Sequence, residues 1–505
     1  MAKSRETSRH LEVERKFDVT DSAVTPSFDG LSVITRAERQ PTQTLEAVYF
    51  DTSGHDLADN HVTLRRRTGG PDAGWHLKMP SGPDARTEIH VSLEAATNVT
   101  DIPAELTDVV LAIVRDRPLA PVARIATARD VTMLYGAAGA LAEFCDDRVN
   151  AWAIDSENSS TGTEQSWREW ELELVDGAVD GADEVLSRLC NRLLDAGAAP
   201  AGHGSKLAKV LGAVTQTETE PPSDPVHRAV AEQVRLLLLW DRAVRADAHD
   251  AVHQMRVATR QIRSLLQASE DAFGLTDDAW ILSELRELAA VLGTARDAEV
   301  LAESYREELD ALPPELVRGP IRERLVDGAR RQYQSGLRKS LTAMRSPRYF
   351  RLLDALDGLV VIQPPVGADD HPPATIESSY RRVRKATKAS RAAEEASQDD
   401  ALHRIRKAAK RLRYVAAATG DAKVASRSKI IQSLLGDHQD SVISRAHLLR
   451  QADAAHAAGE DTFTYGVLYA QKAEVSDRCR AQLDEALNAL RRSVREARRD
   501  GRAGL

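Results

Sequence analysis

The chain has 505 residues, 42% hydrophobic and 29% charged, which excludes wholesale disorder, a collagenous repeat and a disulfide scaffold. At roughly 150 residues per domain, that length implies about two to four domains. The net charge of −9 hides an asymmetry: residues 1–225 hold 22 Lys+Arg against 37 Asp+Glu, and residues 226–505 hold 46 against 40.

Residues 1–8 are polar and predicted to be disordered, with no apolar signal core among Lys3, Arg5 and Glu6. Period-two alternation then predicts strands over Leu11–Phe17, Val62–Arg67, Trp75–Lys78, Arg86–Val91, Leu141–Val149 and Trp167–Val175. Gly69–Gly70 suits a hairpin turn better than a phosphate loop. Residues 213–225 are acidic, polar and proline-bearing, and read as a linker. Beyond them the pattern is helical, and a second break at Gln363–Pro373 separates halves at about 226–362 and 374–500. The longest apolar run, near Leu236–Trp240, is far short of the ~20 residues a membrane span needs. Cys145, Cys190 and Cys479 lie far apart without metal-ligand spacing, which fits a reducing cytoplasm. Aromatics at 4% give little support for a single-strand stacking platform.

Strand parity sorts the charges. Glu12, Glu14 and Lys16 share one face, as do Glu169, Glu171 and Glu173. Arg65 pairs with Arg67, Lys78 with His76, Arg86 with Glu88, and Glu143 with Asp147. Such alternation ordinarily means a half-exposed sheet. Three carboxylates on one strand face repel one another, however, unless a cation offsets them. Carboxylates hold hard divalent cations, and arginine forks hold phosphate oxygens. A polyanion with bound metal needs both. No Ser-His-Asp, Cys-His or GxxxxGK[ST] arrangement competes for a catalytic role.

LEVERK (Leu11–Lys16) resembles the ExExK signature of the CYTH family, the triphosphate tunnel metalloenzymes. The resemblance extends in order through YFDT (Tyr49–Thr52), LRRR (Leu64–Arg67), WHLK (Trp75–Lys78), RTE (Arg86–Glu88), Arg124, Arg129, Glu143–Asp147, EWELE (Glu169–Glu173) and Ser205–Lys206, covering residues 9–212. It implies an antiparallel β-barrel of eight strands around a triphosphate-binding tunnel. It also implies metal binding by Glu12, Glu14, Asp147, Glu169, Glu171 and Glu173, with Mg²⁺ or Mn²⁺ as cofactor. Lys16, Arg65, Arg67, Lys78, Arg86, Arg124, Arg129 and Lys206 would hold the triphosphate. Glu12, Glu14, Lys16 and Glu171 would be catalytic.

The helical half, 226–505, is internally repeated: VHQMRVATRQIR (Val252–Arg263) recurs as LHRIRKAAKRLR (Leu402–Arg413), and LGTARD (Leu292–Asp297) as LGDHQD (Leu435–Asp440). His253, Arg256, Arg260 and Arg263 form one helical stripe, and His403, Arg406, Lys410 and Arg413 its copy. Each basic stripe lies beside an apolar one: Val252, Met255, Ala258, Ile262 and Leu265 in the first copy, Leu402, Ile405, Ala409 and Leu412 in the second. Like charges so concentrated favour a polyanion through counterion release. These segments, with SPRY (Ser346–Tyr349), resemble the CHAD domain, the conserved-histidine α-helical domain. That resemblance implies an all-α duplicated bundle whose eight stripe residues bind inorganic polyphosphate. Gln261–Ile262 departs from the family's more usual Arg-Leu. The two histidines lack a nearby second ligand, so polyanion contact or a structural hydrogen bond is expected of them, not metal ligation.

The sequence therefore predicts a multidomain chain: a β-barrel followed by a duplicated helical bundle. Its expected activity is metal-dependent hydrolysis of inorganic triphosphate, with polyphosphate held by the helical half. Two alternatives are a non-catalytic polyphosphate-binding, granule-associated protein, and a thiamine triphosphatase or class IV-type adenylate cyclase. Expected partners are inorganic triphosphate and polyphosphate, with nucleic acid and membrane disfavoured and a cytoplasmic location, at polyphosphate granules if the second reading holds.

Overall fold

The computed structural model describes residues 7–81, 84–95, 101–155, 160–175, 181–212, 225–268, 273, 279–361 and 375–499. The break at 363–373, most of the linker (213–224) and residues 1–6 lie outside the described residues; Thr7 and Ser8, expected to be disordered, already belong to the first strand. Two compact units emerge, one comprising Met1–Ser223, Leu238–His249 and Met344–Asp354, the other Asp224–Leu237, Asp250–Ala343 and Ala355–Leu505.

The first unit is built on β1 (Thr7–Val19), β2 (Arg36–Arg39), β3 (Gln43–Asp51), β4 (Thr63–Thr68), β5 (Gly74–Pro80), β6 (Ala85–Ser92), β7 (Ala120–Gly136), β8 (Gly139–Asp155), β9 (Ser160–Thr161), β10 (Gln165–Leu174) and β11 (Ala199–Pro200). Eight of these pair antiparallel in the ring β7-β3-β4-β5-β6-β1-β10-β8, and the long β7–β8 pairing closes it into a barrel. β2, β9 and β11 attach outside the ring. Gly69 and Gly70 form the β4–β5 turn at φ +79° and +74°; a Cβ on Gly69 would sit 2.0 Å from the Thr44 carbonyl oxygen, so only glycine fits.

The barrel turns its apolar strand faces outward. The helix Ala104–Val114 covers Phe50, Leu64, Trp75 and Leu77 with Leu106 and Val110. The helix Ala182–Asp195 covers Phe17, Phe144 and Trp170 with Leu186, Leu189 and Leu193. Each of these fully buried side chains contributes on the order of 1.5–3 kcal/mol. One end of the interior is also apolar: Ala47, Tyr49, Ile125 and Val149 pack against Leu207 and Val210 of the short helix Lys206–Leu211. The charged strand faces are left to line the rest of the interior.

The second unit is helical. Its two basic helices are Ala251–Ala268 and Gln398–Ala418, each followed by a long helix, Trp280–Ala311 and Ala422–Ala457 respectively. The repeat survives in the packing. Arg256 lies across Gly293 and Arg406 across Gly436, so that a Cβ added at either glycine would meet the guanidinium at 3.3 and 3.4 Å. Val252, Met255, Ala258 and Ile262 are buried, as are Leu402, Ile405, Ala409 and Leu412. Leu266 closes the first stripe where Leu265 was expected, because Leu265 is only half-buried.

Candidate functional site

The interior holds a cavity of about 490 Å³, lined by Glu12, Glu14, Glu171 and Glu173 and by Arg65, Arg67 and Arg129, of which Arg129 is paired with Glu171. Lys16, Lys78, Arg86 and Lys206 complete the predicted residues on its wall. β1 pairs with β10 so that Lys16 faces Glu171 and Glu14 faces Glu173, which brings the two acidic strands side by side. Lys16 Nζ bridges them, donating to Glu14 Oε2 at 2.7 Å and Glu171 Oε1 at 2.5 Å. Lys206 is positioned by its own helix start, where Ser205 Oγ accepts from the Ala208 N–H at 3.1 Å. Its Nζ lies 2.9 Å from Asp147, 2.7 Å from Glu169 and 2.7 Å from Glu171.

Asp147 and Glu169 are fully buried behind Lys206 and do not reach the cavity wall. Arg86 donates to the Gly204 carbonyl and stands 3.9 Å from Glu14. Arg124 corrects the expectation. It is more than half exposed and donates to Glu46 at 2.8 Å, outside the barrel. Arg124 and Arg129 lie five residues apart on one regularly paired strand, so only one can face inward. Arg129 is that one.

Burial raises Glu12 to about 8, with Glu173 and Glu88 adding repulsion that Lys78 only partly offsets. Burial also raises Glu173 to about 7, assisted by Glu14, Glu143 and Glu171. Glu14 shows the opposite outcome: burial would raise it, but Lys16 and Lys78 outweigh that and hold it at about 2. Arg67 is lowered to about 9 by burial and by its neighbours Arg65 and Arg129. Arginines crowded enough to lower one another, beside carboxylates that raise one another, suit a ligand that carries both metal and anionic oxygens.

The donor set fits a hard divalent cation. Asp147, Glu169 and Glu171 bring ligand oxygens within 4.8 Å of one another, as do His10, Glu12 and Glu88 with their own donor atoms. Glu12 Oε2 is buried with no hydrogen-bond partner. Of the six carboxylates expected to act together, Asp147, Glu169 and Glu171 fall in one group, Glu12 in the other, and Glu14 and Glu173 in neither. Glu88, His10 and Tyr49 were not anticipated as site residues. Tyr49 accepts a hydrogen bond from Arg65 Nη1 at 3.2 Å. Glu88 shares its strand face with Arg86, and His10 with Glu12, which was the available signal.

In the helical unit the two basic helices face each other. Lys410 is lowered to about 8 by burial and by Arg260, Arg406, Arg413 and Arg256, so residues of both copies act on one ammonium. Arg260 is lowered by burial and then by Arg256 and Arg406. Arg263 and Arg406 each hold a buried Nε without a hydrogen-bond partner. His403 Nδ1 lies 3.1 Å from Gln439 Oε1, and burial lowers both His253 and His403. Among the described residues, the groups able to hold a metal all lie in the barrel.

A closed eight-stranded barrel with this interior, followed by a duplicated basic helical unit, defines a protein of the CYTH and CHAD class. The CYTH domain family matches residues 10–186 and the CHAD domain family residues 228–449. The chain belongs to the family of two-domain proteins that includes the uncharacterized proteins Rv2226 and MT2285 of Mycobacterium tuberculosis, each 62% identical over 508 residues, covering 97% of this chain and 98% of the relative. Among solved structures it is similar to the CHAD domain from the plant Ricinus communis, at 23% identity and TM-score 0.40, covering 52% of this chain and 90% of that one. It is also similar to PptA from Streptomyces chartreusis, at 18% identity and TM-score 0.43, covering 53% of this chain and 99% of that one. CYTH domains are metal-dependent triphosphate tunnel enzymes with triphosphatase or cyclase activity. No helix among the described residues is long and apolar enough to cross a membrane.

Proposed function

We propose that the barrel hydrolyses inorganic triphosphate with Mg²⁺ or Mn²⁺, and that the helical unit binds inorganic polyphosphate. The observation that carries this reading is the cavity itself, which brings Arg65, Arg67 and Arg129 together with the carboxylates of β1 and β10. Tyr49 is the single Phe, Tyr or Trp on its wall and most other lining side chains are charged, which favours a phosphate chain over a nucleobase or a thiamine ring.

Arg65, Arg67 and Lys78 would hold the phosphate oxygens, and Arg129 would stabilise charge on the leaving phosphate. Glu12, Glu14 and Glu171, which line the cavity, are the residues that would hold the cation, which when bound would neutralise the triphosphate and polarise its phosphoryl oxygens. Lys16 and Lys206 keep Glu14 and Glu171 ionised and oriented. Glu173, with no ion-pair partner among the described residues, is free to orient the attacking water and take its proton. A panel of tripolyphosphate, thiamine triphosphate, ATP and long-chain polyphosphate tests the assignment. Tripolyphosphate should give the highest kcat/KM; faster turnover of ATP or thiamine triphosphate would replace it.

A further inference from the structure

The barrel wall is interrupted beside the carboxylates of β1. On one edge β1 pairs with β6 as far as Val13, opposite Ala85, with one further bond from the Glu14 N–H to the Asp84 carbonyl at 3.2 Å. Farther along the same edge β11 takes over at Phe17, opposite Pro200, and the Ala201 N–H reaches the Lys16 carbonyl at 2.9 Å. Between them, among the described residues, no strand covers that edge at Arg15. A side chain spans the opening: the Arg86 guanidinium, rooted in β6, donates to the Gly204 carbonyl beyond β11.

The opening leads to a second cavity, of about 710 Å³, between β1 and the helix Ala182–Asp195. Glu14, Lys16 and Arg86 line both this cavity and the one inside the barrel, so the two meet there. Its donors suit an anion. Arg15 is fixed to Asp84 by Nε at 3.0 Å and Nη2 at 2.9 Å, while its Nη1 makes only a long bond to Ser187 Oγ at 3.4 Å. The His203 side chain is 11% exposed, and neither of its buried ring nitrogens has a hydrogen-bond partner; Nε2 stands 3.5 Å from Asp18 Oδ1. A buried polar nitrogen without a partner is costly, and a ligand oxygen would satisfy it. The acidic groups on the wall, Glu14 and Asp84, are already held by Lys16 and Arg15. Phe17, Leu194 and Pro200 make much of the remaining wall apolar, which gives an anion no further hold.

We propose that this cavity is an exit chamber for orthophosphate. The phosphate split from a triphosphate leaves the barrel through the gap at Arg15 and is received by Arg15, Arg86 and His203. Arg86 lines both cavities, so one guanidinium can follow the anion across. Arg65 and Arg67 stand on β4, away from the gap, and would keep the rest of the chain in place. The exposed Asn191, Gly202 and Gly204 put the far side of the chamber in reach of solvent. The origin of the phosphate rests on the hydrolase reading above, whereas its binding is measured without turnover.

Gly202→Leu and Asn191→Trp fill the chamber from two walls. A Cβ on Gly202 meets nothing within 4 Å, so the first change is accommodated without a clash. Orthophosphate binding to the full-length, metal-stripped protein is followed by calorimetry, with a thermal unfolding scan of each variant. Both variants should unfold as wild type does and bind orthophosphate about 10-fold more weakly or worse. With Mg²⁺, both should cleave tripolyphosphate at the wild-type rate in an acid-quenched single turnover. Their steady-state kcat should fall about fivefold or more, because release becomes limiting. Unchanged orthophosphate affinity in both variants would overturn the proposal, as would an unchanged kcat or a single-turnover rate that falls with kcat. If wild type cleaves no tripolyphosphate while both variants still weaken orthophosphate binding, the hydrolase reading fails and the phosphate chamber stands.

Discussion

Arg129 on β7 and Asp147 on β8 are direct partners across an antiparallel pair, and the guanidinium grips the carboxylate with Nε at 2.8 Å and Nη2 at 2.7 Å. The same Arg129 also reaches Glu171 on β10, so one cation ties the strand that closes the barrel to the acidic strand beside it.

Asp147 is fully buried, and its neutralisation takes one carboxylate from each of two buried cations, leaving Arg129 with Glu171 alone and Lys206 with Glu169 and Glu171. Breaking a buried pair from one side costs about 3–5 kcal/mol. Asp147→Asn should therefore lower the denaturation midpoint of the barrel markedly, as followed by chemical unfolding of the full-length protein. A shift worth less than about 1 kcal/mol would mean that the pair contributes nothing structural.

Arg124 and Arg129 should behave oppositely. Arg124→Ala removes an exposed pair with Glu46, worth about 0–1 kcal/mol, and should leave tripolyphosphate turnover within about twofold of wild type. Arg129→Ala should lower kcat/KM by about 100-fold or more. Steady-state kinetics on the two variants checks the assignment of inner and outer faces.

That pair shows where the sequence was legible and where it was not. The alternation of Leu11–Phe17 and Trp167–Val175 marked β1 and β10, because large apolar side chains lie on one face and charges on the other. β7 left no such mark: alanines at 123, 126 and 128 occupy both faces, so polarity does not alternate along it. β3 was missed as a strand, although its YFDT end was noticed. Parity could have separated Arg124 from Arg129 once β7 was recognised. The grouping of His10 with Glu88 depends on the β1–β6 register, a long-range property that no local spacing encodes.

Binding of long-chain polyphosphate should depend on pH through Lys410. Its value near 8 means that the ammonium is charged below that pH and lost above it, so affinity should fall as pH rises from 7 to 9. Lys410→Arg stays charged and should remove that dependence. The unliganded protein has the opposite sign: between about 8 and about 10.4 the unfolded chain holds the proton that the folded chain has released, so stability rises with pH across that window. Binding isotherms at several pH values check the first statement, and denaturation midpoints the second.

Arg256→Ala combined with Arg406→Ala removes the two arginines that lie across Gly293 and Gly436. Long-chain polyphosphate affinity should drop and its dependence on salt should flatten, because fewer counterions are released on binding. Tripolyphosphate hydrolysis should stay within about twofold of wild type. Collapse of hydrolysis in a folded double variant would contradict the division of labour between the two units.

The most direct test of the central claim is phosphate release from tripolyphosphate by wild type and by Glu14→Gln, with Mg²⁺ or Mn²⁺ and with chelator. Glu14 sits on the cavity wall, held ionised by Lys16 at 2.7 Å. Wild type should show metal-dependent release, abolished by chelator and reduced about 100-fold or more in the variant. Absence of release by wild type, or equal release by Glu14→Gln, would contradict it.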